Sequence, residues 1–260
     1  MNKPKFQFLA AILAVILCAG LISCGSKQTS DNPDSLESED KEQTMPSGPI
    51  NYPPVTYESL GRTVRITCIG DSLTWGDKAS NPTAKSYPAQ LQDMLGSHYS
   101  VSNCSKRGAV ATKMAGSAMC FCYESEWNDA MKSEPDVAVI MFGTNDANPY
   151  QQFDIDTERG KQNYLAGMKY MISELQSLES PPKIYLCTSP WIYDRADNFK
   201  SSLENYMIPM QHELASELGL ELIDIFSATK DHPEYYAEGL HLNDDGYRHL
   251  AEVVKEALMT

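Results

Sequence analysis

The sequence predicts an α/β domain, a parallel sheet doubly wound with helices on both faces into three layers. Three observations carry that prediction. Short apolar runs alternate with amphipathic stretches of helical spacing, the pattern left by parallel strands joined through right-handed crossovers. The clearest run, residues 136–142, reads Asp-Val-Ala-Val-Ile-Met-Phe, apolar almost throughout like a buried strand. About sixty residues without a folding pattern precede roughly two hundred that have one, enough for a single domain with a full core.

Taken in order, residues 64–69 (Val-Arg-Ile-Thr-Cys-Ile) form the first strand, and 87–95 place Leu91, Met94 and Leu95 at helical spacing. A short second strand is expected at 99–102. Residues 109–128 have weak periodicity and are expected as a loop or short helix over the site. After the strand at 136–142 come a helix over 162–178, a strand at 183–187, a helix over 203–218, a strand at 220–225 and a closing helix over 244–258.

Residues 1–23 read as a secretory signal. Lys3 and Lys5 precede an apolar run, 8–22, whose 15 residues are short for a membrane span. The run ends in Leu21-Ile22-Ser23-Cys24-Gly25, which resembles a bacterial lipobox. That resemblance implies lipidation at Cys24 and an exported protein held to the cell envelope by lipid; the alternative is an ordinary signal peptide with a chance cysteine. Residues 24–60, rich in Ser, Asp, Glu, Pro and Gly, cannot offset their ordering entropy and are expected as a flexible acidic tether, leaving 61–260 as the folded domain.

The net charge is −14, or −16 without the two leader lysines, and no basic cluster follows residue 30. Nucleic acid and anionic lipid surfaces are therefore poor partners, and contact with a membrane is expected through the lipid anchor only. A small neutral ester or a glycan ester suits this charge better. Of seven cysteines, Cys68 and Cys187 fall in expected strands as core residues. Cys104, Cys120 and Cys122 fall in expected loops, where pairing of Cys104 with either of the others and free thiols both stand. Cys120-Phe121-Cys122 could suggest metal, but no Cys/His partner pair stands elsewhere at zinc-site spacing, and neither metal nor cofactor is expected.

Four segments supply the chemistry of ester hydrolysis, which needs a nucleophile, a base and donors for an oxyanion. Gly70-Asp71-Ser72-Leu73-Thr74 follows the first strand and offers Ser72 as the nucleophile. Alone it is a weak signal, since serine after Gly-Asp is common turn chemistry. Glu238-Gly239-Leu240-His241 precedes the last helix. Among five histidines only His241 has this acid-glycine-apolar lead-in, and an acid three residues ahead can hold one ring nitrogen while the other faces the serine. Asn145, in Gly143-Thr144-Asn145-Asp146 after the clearest strand, can project an amide above the sheet. Gly108, five residues after Asn103, offers a backbone N–H without a side chain in front of it, and the Ser72 N–H is the third donor.

These blocks, in this order, resemble the SGNH (GDSL) hydrolase superfamily, whose letters Ser, Gly, Asn and His fall on Ser72, Gly108, Asn145 and His241. The resemblance covers roughly residues 62–258 and implies a flavodoxin-like fold, a Ser-His-acid mechanism and no metal. Ser86-Tyr87-Pro88-Ala89-Gln90-Leu91 and the Gly143–Asp146 block are similar to the branch that includes carbohydrate O-acetylesterases. The family usually has Asp where this chain has Glu238 and Pro where it has Leu242. Asp244 is the nearest alternative acid, although it is expected rather to cap the last helix. Thr74 rules out the Gly-x-Ser-x-Gly elbow of the other large serine-hydrolase fold. Trp75 and Trp191, with Tyr87 and Tyr193, are aromatics near strand ends that can stack on a sugar or simply pack. The expected activity is a serine esterase acting on acyl groups, acetyl foremost, on carbohydrates. The alternatives are a lipase, lysophospholipase or thioesterase of the same superfamily, and a glycan-binding lipoprotein without turnover.

Overall fold

The computed structural model describes residues 53–116 and 118–260. The expected leader, Cys24 and most of the tether lie outside the described residues. The tether's last described stretch includes helix α1 (Tyr57–Leu60), closed by a capping box between Thr56 and Ser59, and the Tyr57 ring stacks on His98 at 4.0 Å.

Five strands follow the expected order: β1 (Val64–Gly70), β2 (Tyr99–Ser105), β3 (Val137–Met141), β4 (Lys183–Cys187) and β5 (Glu221–Ile223). All pairings are parallel and the spatial order is β2-β1-β3-β4-β5. In that order the crossovers from the centre run in opposite directions, which opens a crevice at the carboxyl ends of β1 and β3. The remaining helices are α2 (Ser72–Trp75), α3 (Pro82–Lys85), α4 (Tyr87–Leu95), α5 (Ser125–Lys132), α6 (Glu158–Gln176), α7 (Asp197–Ser202), α8 (Ile208–Leu218), α9 (Ile225–Lys230) and α10 (Asp244–Met259).

Alternate residues of the central strands feed two cores. On β3, Val137, Val139 and Met141 pack with Tyr87 and Leu91 of α4 and with Tyr247, Leu250 and Val254 of α10. Ala138, Ile140 and Phe142 face the other way, onto Trp127 of α5, Tyr164, Met168 and Met171 of α6, and Leu214 of α8. A strand covered on both faces has no wet side, which is why its sequence is apolar without alternation.

The differences from expectation are local. β2 runs on to Ser105 because Asn103, Cys104 and Ser105 stay in register with Cys68, Ile69 and Gly70. The polar pair is satisfied there: Asn103 Nδ2 donates to the Thr74 carbonyl at 2.9 Å, and the Ser105 hydroxyl donates to Asn103 Oδ1. The expected strand at 220–225 stops at Ile223, since Asp224 turns out to cap α9 by accepting the Ser227 N–H at 3.0 Å. The expected helix 203–218 begins earlier as α7 and contains a π turn, Leu203–Met207, ahead of α8. Pro209 has no N–H for an α ladder, and the turn before it is widened so that the Ile208 N–H reaches the Leu203 carbonyl. Within 109–128 a 3₁₀ turn, Phe121–Tyr123, leads into α5, and Phe121 is fully buried.

Candidate active site

The crevice collects the loops that follow β1, β2 and β3. Ser72 is the first residue of α2, whose N-cap Asp71 accepts the Leu73 N–H at 2.9 Å, so the hydroxyl sits on a short, fixed turn at the end of a central strand. Lys106 N–H donates to the Gly70 carbonyl at 3.1 Å and lays the β2 loop beside that turn. Gly108 on this loop has φ +76°, a left-handed conformation that glycine adopts without penalty. The backbone N–H groups of Ser72 and Gly108 donate to no acceptor among the described residues.

His241 arrives from 169 residues further along the chain, and its Nε2 lies 2.9 Å from Ser72 Oγ. Its Nδ1 lies 2.5 Å from Glu238 Oε1, which also accepts the His241 backbone N–H at 3.1 Å. With the ring proton on Nδ1 and shared with the carboxylate, Nε2 is left as the acceptor for the serine hydroxyl. Burial opposes ionisation of Glu238, but hydrogen bonds from Arg195 and His241 together outweigh it and hold the carboxyl below the ordinary glutamate value. The alternative acid is committed elsewhere. Asp244 Oδ1 accepts the Ser80 N–H at 2.8 Å and Oδ2 the Ser80 hydroxyl at 2.5 Å. Nor does Asp244 cap α10: Asn243 does, through the Gly246 N–H at 2.9 Å.

Asn145 stands beside the Ser72 turn, as its position after β3 requires. Its Nδ2 donates to the Ala109 carbonyl at 2.9 Å and, less closely, to Asp71 Oδ2 at 3.3 Å. The neighbouring Asp146 is fully buried and accepts the Ala111 N–H (3.2 Å), the Thr112 N–H (2.7 Å) and the Thr112 hydroxyl (2.7 Å). The Gly143–Asp146 block therefore pins the loop after β2 through two successive residues, Asn145 at Ala109 and Asp146 at Ala111 and Thr112.

Sequence reasoning did not single out Asp77, Arg107 or Arg195. Asp77 Oδ2 lies 3.8 Å from His241 Nε2 and accepts Arg107 Nε (3.1 Å) and Nη2 (2.8 Å). The Arg107 guanidinium in turn lies over the Trp75 ring, 5.1 Å from its centroid, which puts Trp75 at this mouth. Arg195 Nη2 donates to Glu238 Oε2. No short motif announces any of the three; the immediate sequence context of Asp77, five residues past Ser72, was the one available signal. Trp191 is packed edge-on against Phe226 and Tyr193, with Lys230 4.9 Å over its ring, and Tyr87 is fully buried in the core.

The thiols do not compete as nucleophiles. All five described cysteines are free and buried, and burial pushes Cys104 up to about 11 and Cys68 up to about 12, far from a thiolate at neutral pH. Among the described residues no three His, Cys, Asp or Glu side chains are grouped as metal ligands.

The profile of the GDSL-like lipase/acylhydrolase family matches residues 68–249. An acetylxylan esterase of Xylanibacter ruminicola is 29% identical over an alignment of 209 positions that covers 75% of this chain and 43% of that protein. The chain thus spans less than half the length of that relative. Among solved structures, an acetylxylan esterase from Geobacillus stearothermophilus superposes with a TM-score of 0.57 at 18% identity, covering 76% of this chain and 95% of the other. A carbohydrate acetylesterase family member from Sinorhizobium meliloti gives 0.54 at 21% identity, covering 76% and 100%. At such identities these two likenesses speak for the fold.

Proposed function

Because the chain belongs to the GDSL-like lipase/acylhydrolase family, we propose that it is a serine esterase that removes acyl groups, acetyl foremost, from carbohydrates. One observation carries the reading: an unbroken relay from Ser72 Oγ through His241 to Glu238, with steps of 2.9 and 2.5 Å. Ser72 Oγ attacks the ester carbonyl while its proton passes to His241 Nε2, and Glu238 stabilises the imidazolium from Nδ1. The oxyanion is met by the N–H groups of Ser72 and Gly108. Asn145 Nδ2 is the third donor, with the oxyanion replacing its longer bond to Asp71. Collapse expels the alcohol, which takes the proton from Nε2, and water then enters by the same route to free the acid from Ser72.

The acetyl and carbohydrate choice is supported by the likeness to an acetylxylan esterase and by the acidic chain, which suits a neutral glycan better than an anionic lipid surface. The protein is proposed to act outside the cytoplasm, held to the cell envelope by a lipid on Cys24. The reading is tested by incubating the protein with an aryl acetate, acetylated glycans and aryl esters of rising chain length. Release of acetate from glycans and a steep loss of turnover on long chains are expected. Preference for long-chain esters would make it a lipase, and no turnover on any ester would make it a binding protein.

A further inference from the structure

Glu238 carries one methylene more than an aspartate would and therefore one more torsion to fix before its Oε1 can serve His241. Its surroundings fix it. The loop after β4 is pressed against the Glu238–His241 turn: the Tyr193 N–H donates to the Gly239 carbonyl at 2.6 Å. A Cβ on Gly239, whose φ is +77°, would stand 2.6 Å from the Tyr193 carbonyl oxygen. On the same loop Asp194 holds a left-handed backbone, φ +44°, and the next residue, Arg195, reaches back over the turn. Arg195 Nη2 donates to Glu238 Oε2, while Nη1 donates to the Glu238 carbonyl at 3.2 Å and to the Asp194 carbonyl at 3.1 Å. The carboxylate is thus divided, with Oε1 given to His241 and Oε2 to the guanidinium.

We infer that Arg195 is a positioning residue, a clamp that holds Glu238 in the one rotamer that orients His241. The inference rests on the reading of Glu238 as the acid of the proposed esterase. Two effects of the guanidinium oppose each other. Its charge draws on the carboxylate and weakens the support that Glu238 gives an imidazolium, whereas its planar fork restrains a side chain that is one-third exposed and otherwise free to turn to solvent. Restraint outweighs charge here, because Arg195 touches both the carboxylate and the backbone of the same residue and, among the described residues, no other group holds Oε2.

A double-mutant cycle with an aryl acetate tests this, using wild type, Arg195→Met, Glu238→Gln and the double variant, with thermal unfolding followed in parallel. Arg195→Met should lower kcat about tenfold with KM within about twofold, and it should change kcat less than about twofold in the Glu238→Gln background, since a clamp on an absent carboxylate has nothing to hold. Arg195→Lys, which keeps charge and stem but loses the fork, should retain about a third of kcat and likewise be silent beside Glu238→Gln. If Arg195→Met does not fold, the Lys cycle is read in the same way. An unchanged or raised kcat in the single variants, or the same loss with and without Glu238, overturns the inference. A wild-type protein inactive on every ester would instead strike the esterase reading itself.

Discussion

At Glu238 the chain departs from the aspartate common in this family, and the site's geometry explains how the longer acid is accommodated. One oxygen accepts from the His241 backbone N–H and from ring Nδ1, and the other accepts from Arg195. Glu238→Gln should keep the fold but lower turnover on an aryl acetate by about a hundredfold, less than loss of the nucleophile, because a neutral amide no longer stabilises the imidazolium. Asp244→Asn should stay within about twofold of wild type, since Asp244 is engaged by Ser80 rather than by the histidine. The reverse pattern in steady-state kinetics would assign the acid to Asp244. Glu238 was legible because an acid three residues before a histidine is a local signal. Arg195 was not, because its partner lies 43 residues away and only the packing of two loops joins them.

Two elements show how the scaffold holds the site. The N-cap of α2 is a buried carboxyl. Burial pushes Asp71 up to about 7, over the opposing pull of the Leu73 N–H and with help from the Asp146 carboxylate. A carboxyl raised in the folded state gives stability that is whole below its unfolded value, near 4, and lost as pH climbs through the folded one, at up to about 1.4 kcal/mol per pH unit. Asp71→Asn keeps an oxygen for the cap and abolishes that titration. In urea unfolding the variant should gain on wild type between pH 5 and pH 7; a constant difference would contradict the account. In α6, Gly167→Ala should raise helix propensity by about 1 kcal/mol. Its Cβ, however, would stand 1.7 Å from the backbone oxygen of Ala111, in the loop that Asp146 pins. The net effect should be a loss of about 2 kcal/mol or more, read as a lower unfolding midpoint. A stabilised variant would mean that this loop yields freely. Elements with a plain apolar period were legible: β3, β4 and α10 lie within a residue or two of their expected bounds. The end of β2 and the π turn before Pro209 were not, since a polar strand end and a widened turn depend on neighbours that periodicity does not record.

Across the whole molecule, the strand order β2-β1-β3-β4-β5 makes four separate sequence blocks into one site. It sets the loops of β1 and β3 at the switch point, brings the β2 loop beside them, and returns the chain so that His241 meets Ser72. Block order revealed this convergence in the sequence because each block follows a strand or precedes the last helix, whereas side-chain pairings within the crevice, such as Asp77 with Arg107, needed the fold. The proposed anchor has its own test: Cys24→Ser should shift the protein from the membrane fraction to the soluble one with unchanged specific activity, and a variant that remains membrane-bound would count against lipidation. The central claim is that this convergence makes Ser72 the nucleophile, and kcat/KM of Ser72→Ala for an aryl acetate, with wild type alongside, tests it most directly. The account predicts a loss of at least about a thousandfold with the unfolding midpoint kept; near wild-type turnover in a folded Ser72→Ala variant would contradict it.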